Sequence, residues 1–286
     1  MKLVDKLQAY IALYRIDKPV GSMLLLWSSL WGLWLAGNGT PPAKICFIIL
    51  LGTFTMRSAG CAVNDYADRN FDGNVKRTKN RPLATGTLSE KEALWAIIFM
   101  LFVSFLLLLC LNWQSWLMAI YCLFIAIIYP FCKRFFPLPQ FILGLAFSAP
   151  VLIAHTAILG HLTWAGFFIY MAGTFWALVY DTFYALVDRD DDIPMKLHSS
   201  AIFCLGWEKR FLALMAAITL FFMLLAGLCA GLGFWFYLGL VSAALIFSWE
   251  IYYARNLERE KCFAMFFHNN WVGAAIFTGV VLDYLP

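Results

Sequence analysis

The stretch ICFIILLGTFTMRSAGCAVNDYADRNFD, residues 45–72, decides the fold. Residues 45–66 form a span long enough to cross the roughly 30 Å hydrocarbon core of a bilayer, in which Arg57 is the single charge before Asn64. The polarity then changes abruptly to Asn64, Asp65, Asp68 and Asp72, followed by Arg69, Lys76, Arg77, Lys79 and Arg81. Residues three, four and seven apart share one face of a helix. Asn64, Asp68 and Asp72 therefore line one stripe, with Asp65 at its edge. The pattern predicts a membrane-spanning helix that continues past its apolar part into an anionic tip.

The rest of the chain agrees. Of its 286 residues 63% are hydrophobic and 13% charged, against roughly 45–50% apolar and about 25% charged in soluble domains. Nine apolar stretches are expected to span the membrane, at 20–37, 45–66, 93–111, 114–132, 140–160, 163–187, 211–231, 233–251 and 263–283. The fold class is an all-α integral membrane bundle. The N-terminal MKLVDKLQAYIALYRIDKPVG is amphipathic and lacks the pattern of a cleavable signal, so it is expected to lie along the membrane surface. Placing the N-terminus inside puts 19 of the 21 Lys and Arg on the cytoplasmic side, the exceptions being Lys44 and Arg57. That is the asymmetry of the positive-inside rule, and it accounts for the net charge of +4 without invoking nucleic acid. Eight cysteines without a C-x-x-C pair suggest neither zinc nor a disulfide framework. His155, His161, His198 and His268 have no ligand spacing and read as structural or loop residues.

A shift of 120 residues superimposes Asp68 on Asp188, Arg69 on Arg189, Asp72 on Asp192, Lys76 on Lys196 and Gly86 on Gly206. The two segments end spans 2 and 6 and so point the same way, as in a parallel internal repeat. One polytopic domain is expected, with halves at roughly 20–132 and 140–251 and a last helix at 263–283. In YDTFYALVDRDDD, Asp181, Asp188 and Asp192 again form one stripe, Asp181 two turns deeper, while Asp190 and Asp191 point elsewhere and are expected to be solvated. Ionised carboxylates beside lipid are costly and repel one another. A hard divalent cation held by carboxylates and substrate phosphates relieves both penalties. Two facing acid clusters with Lys76, Arg77, Arg81 and Lys196 nearby suit Mg²⁺ bridged to a diphosphate. Acids and bases at one helix end could be a solvated loop, but two clusters in register argue against that.

These residues resemble the UbiA superfamily of intramembrane aromatic prenyltransferases, whose signatures are N-D-x-x-D-x-x-x-D after span 2 and a second Asp-rich motif after span 6. The flanking text, with LPQ at 138–140 and HNNWVG at 268–273, is similar to the branch that prenylates 4-hydroxybenzoate in ubiquinone synthesis. The resemblance implies nine helices around a central cavity with a lateral opening to lipid, in a bacterial-type inner membrane with cytoplasmic active-site loops. It implies polyprenyl diphosphate and 4-hydroxybenzoate as substrates and Mg²⁺ as cofactor, with Asp65, Asp68, Asp72, Asp188 and Asp192 around the metal. The second motif departs from some relatives by lacking an acid at position 184 or 185, which leaves Asp188, Asp192 and Asp181. Asp181 is then the candidate for orienting or deprotonating the phenol, and Asn64 for bonding substrate or a metal-bound water. An arginine fork suits the acceptor's carboxylate. Arg57, seven residues before Asn64, is the first candidate, and Arg15 and Arg134 are alternatives. The rival readings are a family member with another acceptor (homogentisate, a naphthoate, haem or chlorophyllide), a cation transporter and a structural scaffold.

Overall fold

A computed structural model describes residues 3–72, 78–132, 134–194 and 197–286, with the side chains of Leu3, Phe71, Asp72 and Pro130 excepted. Among the described residues the chain is helical throughout, without a strand. Thirteen helices follow in order: α1 (Leu3–Leu13), α2 (Val20–Ala36), α3 (Ala43–Asp72), α4 (Glu90–Leu109), α5 (Trp113–Cys132), α6 (Pro139–Phe147), α7 (Ala149–Leu159), α8 (Trp164–Asp192), α9 (Ser200–Phe203), α10 (Glu208–Ala230), α11 (Phe234–Tyr253), α12 (Arg259–His268) and α13 (Asn270–Asp283).

Among the described residues six segments are long and apolar enough to cross a membrane: Ala43–Asn70, Glu90–Leu109, Pro139–Leu159, Glu208–Ala230, Phe234–Tyr253 and Arg259–Asp283. Val20–Ala36 and Trp113–Tyr129 are shorter apolar helices, and α8, 29 residues long, fills the place of the remaining expected span. The chain is a multi-pass membrane protein. Its lipid-facing character shows in α4, which buries Ala93, Ala96 and Ile97 yet exposes Trp95 by 70% and Phe99 by 59%. In a soluble protein such a face would be an aggregation hazard.

Two expected spans are broken helices. Between α6 and α7, Pro150 has no N–H to donate and its ring crowds the preceding turn, so the helix restarts at Ser148. Between α12 and α13, Asn269 takes over part of the hydrogen bonding with its own side chain, donating to Met265 O at 3.0 Å. Elsewhere the ends follow local capping rules. Ser89 and Glu92 form a reciprocal capping box on α4, and Thr163 Oγ1 accepts from Gly166 N at 3.1 Å to start α8.

The chain divides into two compact units, Met1–Leu26 with Phe47–Leu111, and Trp27–Cys46 with Asn112–Pro286. In the first, α1 buries Ala9 and Leu13 against Ala62, Leu88, Ala93, Ala96 and Ile97. Tyr14 Oη donates to Ala96 O at 3.0 Å, and Lys6 pairs with Glu92, which holds the Lys6 ammonium above its usual range. The outer face of α1 carries Val4 and Leu7. In the second unit the core is aromatic: Trp31, Trp176, Phe183, Phe211, Phe236 and Phe247 are fully buried, with Trp31 and Trp176 ring centroids 5.0 Å apart.

Candidate active site

In the first unit α3 stays helical to Asp72, so the expected stripe is built on real helical turns. Asn64 is exposed. Asp65 turns inward and is 1% exposed. It is met by two arginines: Arg15 Nη2 at 2.8 Å and Arg81 Nη1 at 3.2 Å. Arg81 also lies 3.9 Å from Asp68 Oδ2. Arg15 reaches Asp65 because the chain turns just after α1 with Arg15 in the left-handed region, φ 57°, an uncommon conformation for a non-glycine residue. Arg57 is half-buried two turns before Asn64. Its guanidinium lies over Gly21, where a Cβ would stand 2.8 Å from Nη2.

In the second unit α8 likewise stays helical to Asp192, and Asp181, Asp188 and Asp192 are half-buried along it. The segment after α8 is tied back onto the bundle. Gln140 of the LPQ stretch accepts from Ser200 N at 2.8 Å, and Thr182 Oγ1 donates to Ser200 Oγ at 2.7 Å. Asp190 and Asp191 are exposed as expected, and Arg259 at the start of α12 pairs with them at 3.2 and 3.6 Å. Arg134 is exposed in the turn after α5, bonded by its backbone N to Phe131 O at 3.0 Å.

Within the first unit the structure thus brings together Arg15, Arg81, Asp65 and Asp68. Lys76, Arg77 and Lys196 lie outside the described residues, as does the side chain of Asp72. Among the described residues no group of three or more His, Cys, Asp or Glu converges in a way that could hold a metal. The fit to Mg²⁺ rests on donor chemistry: the candidate ligands are all carboxylate oxygens, the hard donors this ion prefers.

Three features are absent from the sequence reading. One is the commitment of Asp65 to Arg15, which no local signal announces because the partners are fifty positions apart. A second is a pair of ion pairs beside the acid tips, Arg69 Nε with Glu90 Oε1 at 3.1 Å and Arg189 Nη1 with Glu208 Oε1 at 2.9 Å. The 120-residue shift already aligned the two arginines. The third is a polar network around the fully buried Glu250. Its carboxylate meets His268 Nδ1 and accepts from Asn269 Nδ2, both at 2.9 Å, while Trp176 Nε1 donates to Asn269 Oδ1 at 3.1 Å. No local signal in HNNWVG or in α11 pairs His268 and Asn269 with Glu250.

The architecture is that of a multi-pass helical protein with two acid-tipped helices, one already flanked by arginines. The sequence profile of the UbiA prenyltransferase family matches residues 25–271, and the chain belongs to that family. It is 44% identical over 277 residues to the 4-hydroxybenzoate octaprenyltransferase of Aeromonas salmonicida (strain A449), covering 97% of this chain and 96% of that one. With the protein of the same description from Nitrosospira multiformis it shares 45% over 285 residues, covering 100% and 98%. Among solved structures, a UbiA homolog from Aeropyrum pernix K1 matches with a TM-score of 0.80 at 24% identity, covering 93% of this chain and 98% of the other. A UbiA homolog from Archaeoglobus fulgidus bound to GPP and Mg²⁺ matches with a TM-score of 0.69 at 18% identity, covering 96% and 99%. These structural likenesses establish the fold.

Proposed function

We propose that the protein transfers a polyprenyl group from polyprenyl diphosphate to the ring carbon ortho to the hydroxyl of 4-hydroxybenzoate, an early step of ubiquinone biosynthesis, in a bacterial-type inner membrane with the reacting site toward the cytoplasm. Identity of 44–45% over nearly the full length to proteins described as 4-hydroxybenzoate octaprenyltransferases supports both the acceptor and an eight-isoprene donor. The observation that carries the reading is the arginine-flanked carboxylate tip of α3, with Arg15 and Arg81 gathered on buried Asp65 beside Asp68. Asp188 and Asp192, at the acid-bearing tip of α8, join the proposed set.

The residues divide the work as follows. Asp65 holds Arg15 and Arg81 at the mouth of the site, where their N–H groups receive diphosphate oxygens with charge-assisted bonds. Lys76, Arg77 and Lys196, which follow the two acid-rich segments in the sequence, add positive charge. Asp68, Asp72, Asp188 and Asp192 are the carboxylates proposed to hold Mg²⁺, which when bound neutralises the diphosphate and makes it a better leaving group. The bond between the first prenyl carbon and the diphosphate oxygen breaks, and diphosphate leaves with the bonding pair. The ring carbon ortho to the hydroxyl supplies the electron pair of the new carbon–carbon bond, and loss of its proton restores aromaticity. Arg57 forks the acceptor's carboxylate, Asp181 orients or deprotonates the hydroxyl, and Asn64 bonds substrate. Excluding bulk water from this site prevents hydrolysis of the allylic cation.

The test is turnover by purified protein in lipid with octaprenyl and shorter diphosphates, a panel of aromatic acceptors, and Mg²⁺ present or chelated. The expected result is prenylated 4-hydroxybenzoate that requires Mg²⁺ and is lost in Asp72→Ala and Asp192→Ala while both variants remain inserted and folded. Preference for another acceptor would move the protein to a different branch of the family. Ion flux in liposomes without turnover would overturn the reading altogether.

A further inference from the structure

Both acid tips are placed where electrostatics opposes them. Asp68 and Asp72 lie in the last two turns of α3, and Asp188 and Asp192 in those of α8. The carbonyl end of a helix carries partial negative charge, so each carboxylate is repelled by its neighbours and by its own helix. In each last turn one cation offsets this, Arg69 in α3 and Arg189 in α8.

The two arginines act alike. Arg189 Nη1 donates to Glu208 Oε1 at 2.9 Å, and Glu208 is the first residue of α10. Arg69 Nε sits 3.1 Å from Glu90 Oε1, and Glu90 is the first residue of α4. Arg69 Nη1 also donates to Tyr66 O at 2.7 Å, and its guanidinium lies over the Tyr66 ring at 4.4 Å. A glutamate in a first helical turn is favoured by the positive end of the dipole, so each ion pair joins the unfavourable end of one helix to the favourable start of the next. The turns that precede the two following helices also match: Gly86 and Gly206 both adopt left-handed φ, 72° and 88°, a conformation that a Cβ would strain.

We propose that Arg69 and Arg189 are a matched pair of positioning residues, each tethering the acid-bearing last turn of its helix to the following helix so that the carboxylates are held ready for a metal-bound diphosphate. This rests on the prenyl-transfer reading above. The two tethers differ in strength. The Arg189–Glu208 pair is largely shielded, with side chains 21% and 10% exposed. Glu90 is 59% exposed, and Arg69 Nε makes an ion pair without hydrogen-bond alignment. Partners outside the direct ligands typically change metal affinity or activity by about 10–100-fold, and exposed pairs contribute much less.

The experiment uses the full-length protein in lipid and reads two quantities, the Mg²⁺ concentration for half-maximal rate and the Mg²⁺-induced rise in melting temperature without substrate. Arg189→Ala and Glu208→Ala are each expected to raise the half-maximal Mg²⁺ about tenfold and to shrink the melting shift. The charge exchange Arg189→Glu with Glu208→Arg is expected to restore both in part, and Arg69→Ala to change them about twofold. An Arg189→Ala protein with wild-type values in both measurements overturns the proposal, as does a loss that neither Arg189→Lys nor the exchanged pair recovers. Failure of the wild type to turn over polyprenyl diphosphate overturns the function instead, and the metal-induced melting shift still reports on the tethers.

Discussion

Asp65 shows how much a single side chain depends on its partners. By spacing it belongs with Asn64 and Asp68, but its carboxylate is buried and shared between Arg15 and Arg81. A buried charge of this kind is tolerated only when paired, so Asp65 organises cations, and Asp68 faces outward at 50% exposure. Arg57 depends on its surroundings in a simpler way: its guanidinium occupies space that exists because residue 21 has no side chain. Gly21→Ala is expected to displace it. If Arg57 binds the acceptor's carboxylate, KM for 4-hydroxybenzoate rises about tenfold, the loss of one charge-assisted bond, while KM for the prenyl donor holds. Steady-state kinetics in both substrates checks this, and an equal loss for both would remove Arg57 from the acceptor site.

The helices of the second unit are joined through polar contacts as well as apolar packing. Asn269, at the break between α12 and α13, bonds at once to Glu250 on α11, Trp176 on α8 and the carbonyl of Met265. Removing it leaves a buried carboxylate oxygen and an indole N–H without their partner, a loss of about 2 kcal/mol. Asn269→Ala is therefore expected to lower the melting temperature in lipid by about 4–8 °C with little effect on KM for either substrate. Glu250 lies 18 residues upstream of His268, and nothing in the local pattern of α11 separates a buried glutamate from an interfacial one. The breaks themselves differ in legibility. Pro150 announces the one between α6 and α7 through its missing N–H, whereas the one at Asn269 arises from side-chain bonds to other helices.

Across the whole chain the distribution of positive charge predicts the orientation, and the cysteines offer a check. All eight are free thiols. Cys110 follows α4 and Cys229 lies in the last turn of α10, both exposed and both on the side assigned to the exterior. In single-cysteine variants a membrane-impermeant maleimide added to intact cells is expected to label these two. Cys204, beyond α9 on the opposite side, is fully buried, and burial pushes its thiol up to about 12. It is expected to resist labelling from either side until the protein is denatured, because the thiolate is the reactive form. Labelling of Cys110 and Cys229 only in inverted vesicles would reverse the topology. The sequence by itself determined the membrane class, the spans to within a few residues and the helical continuation of α3 and α8 through their acid-rich ends, because hydrocarbon thickness and the 3.6-residue turn act locally along the chain. Only the tertiary structure decided that Asp65 faces two arginines, that Arg69 and Arg189 reach the next helix, and that Glu250 is buried in a network. Those choices depend on which distant side chains arrive to satisfy a buried charge, and local periodicity carries no record of them.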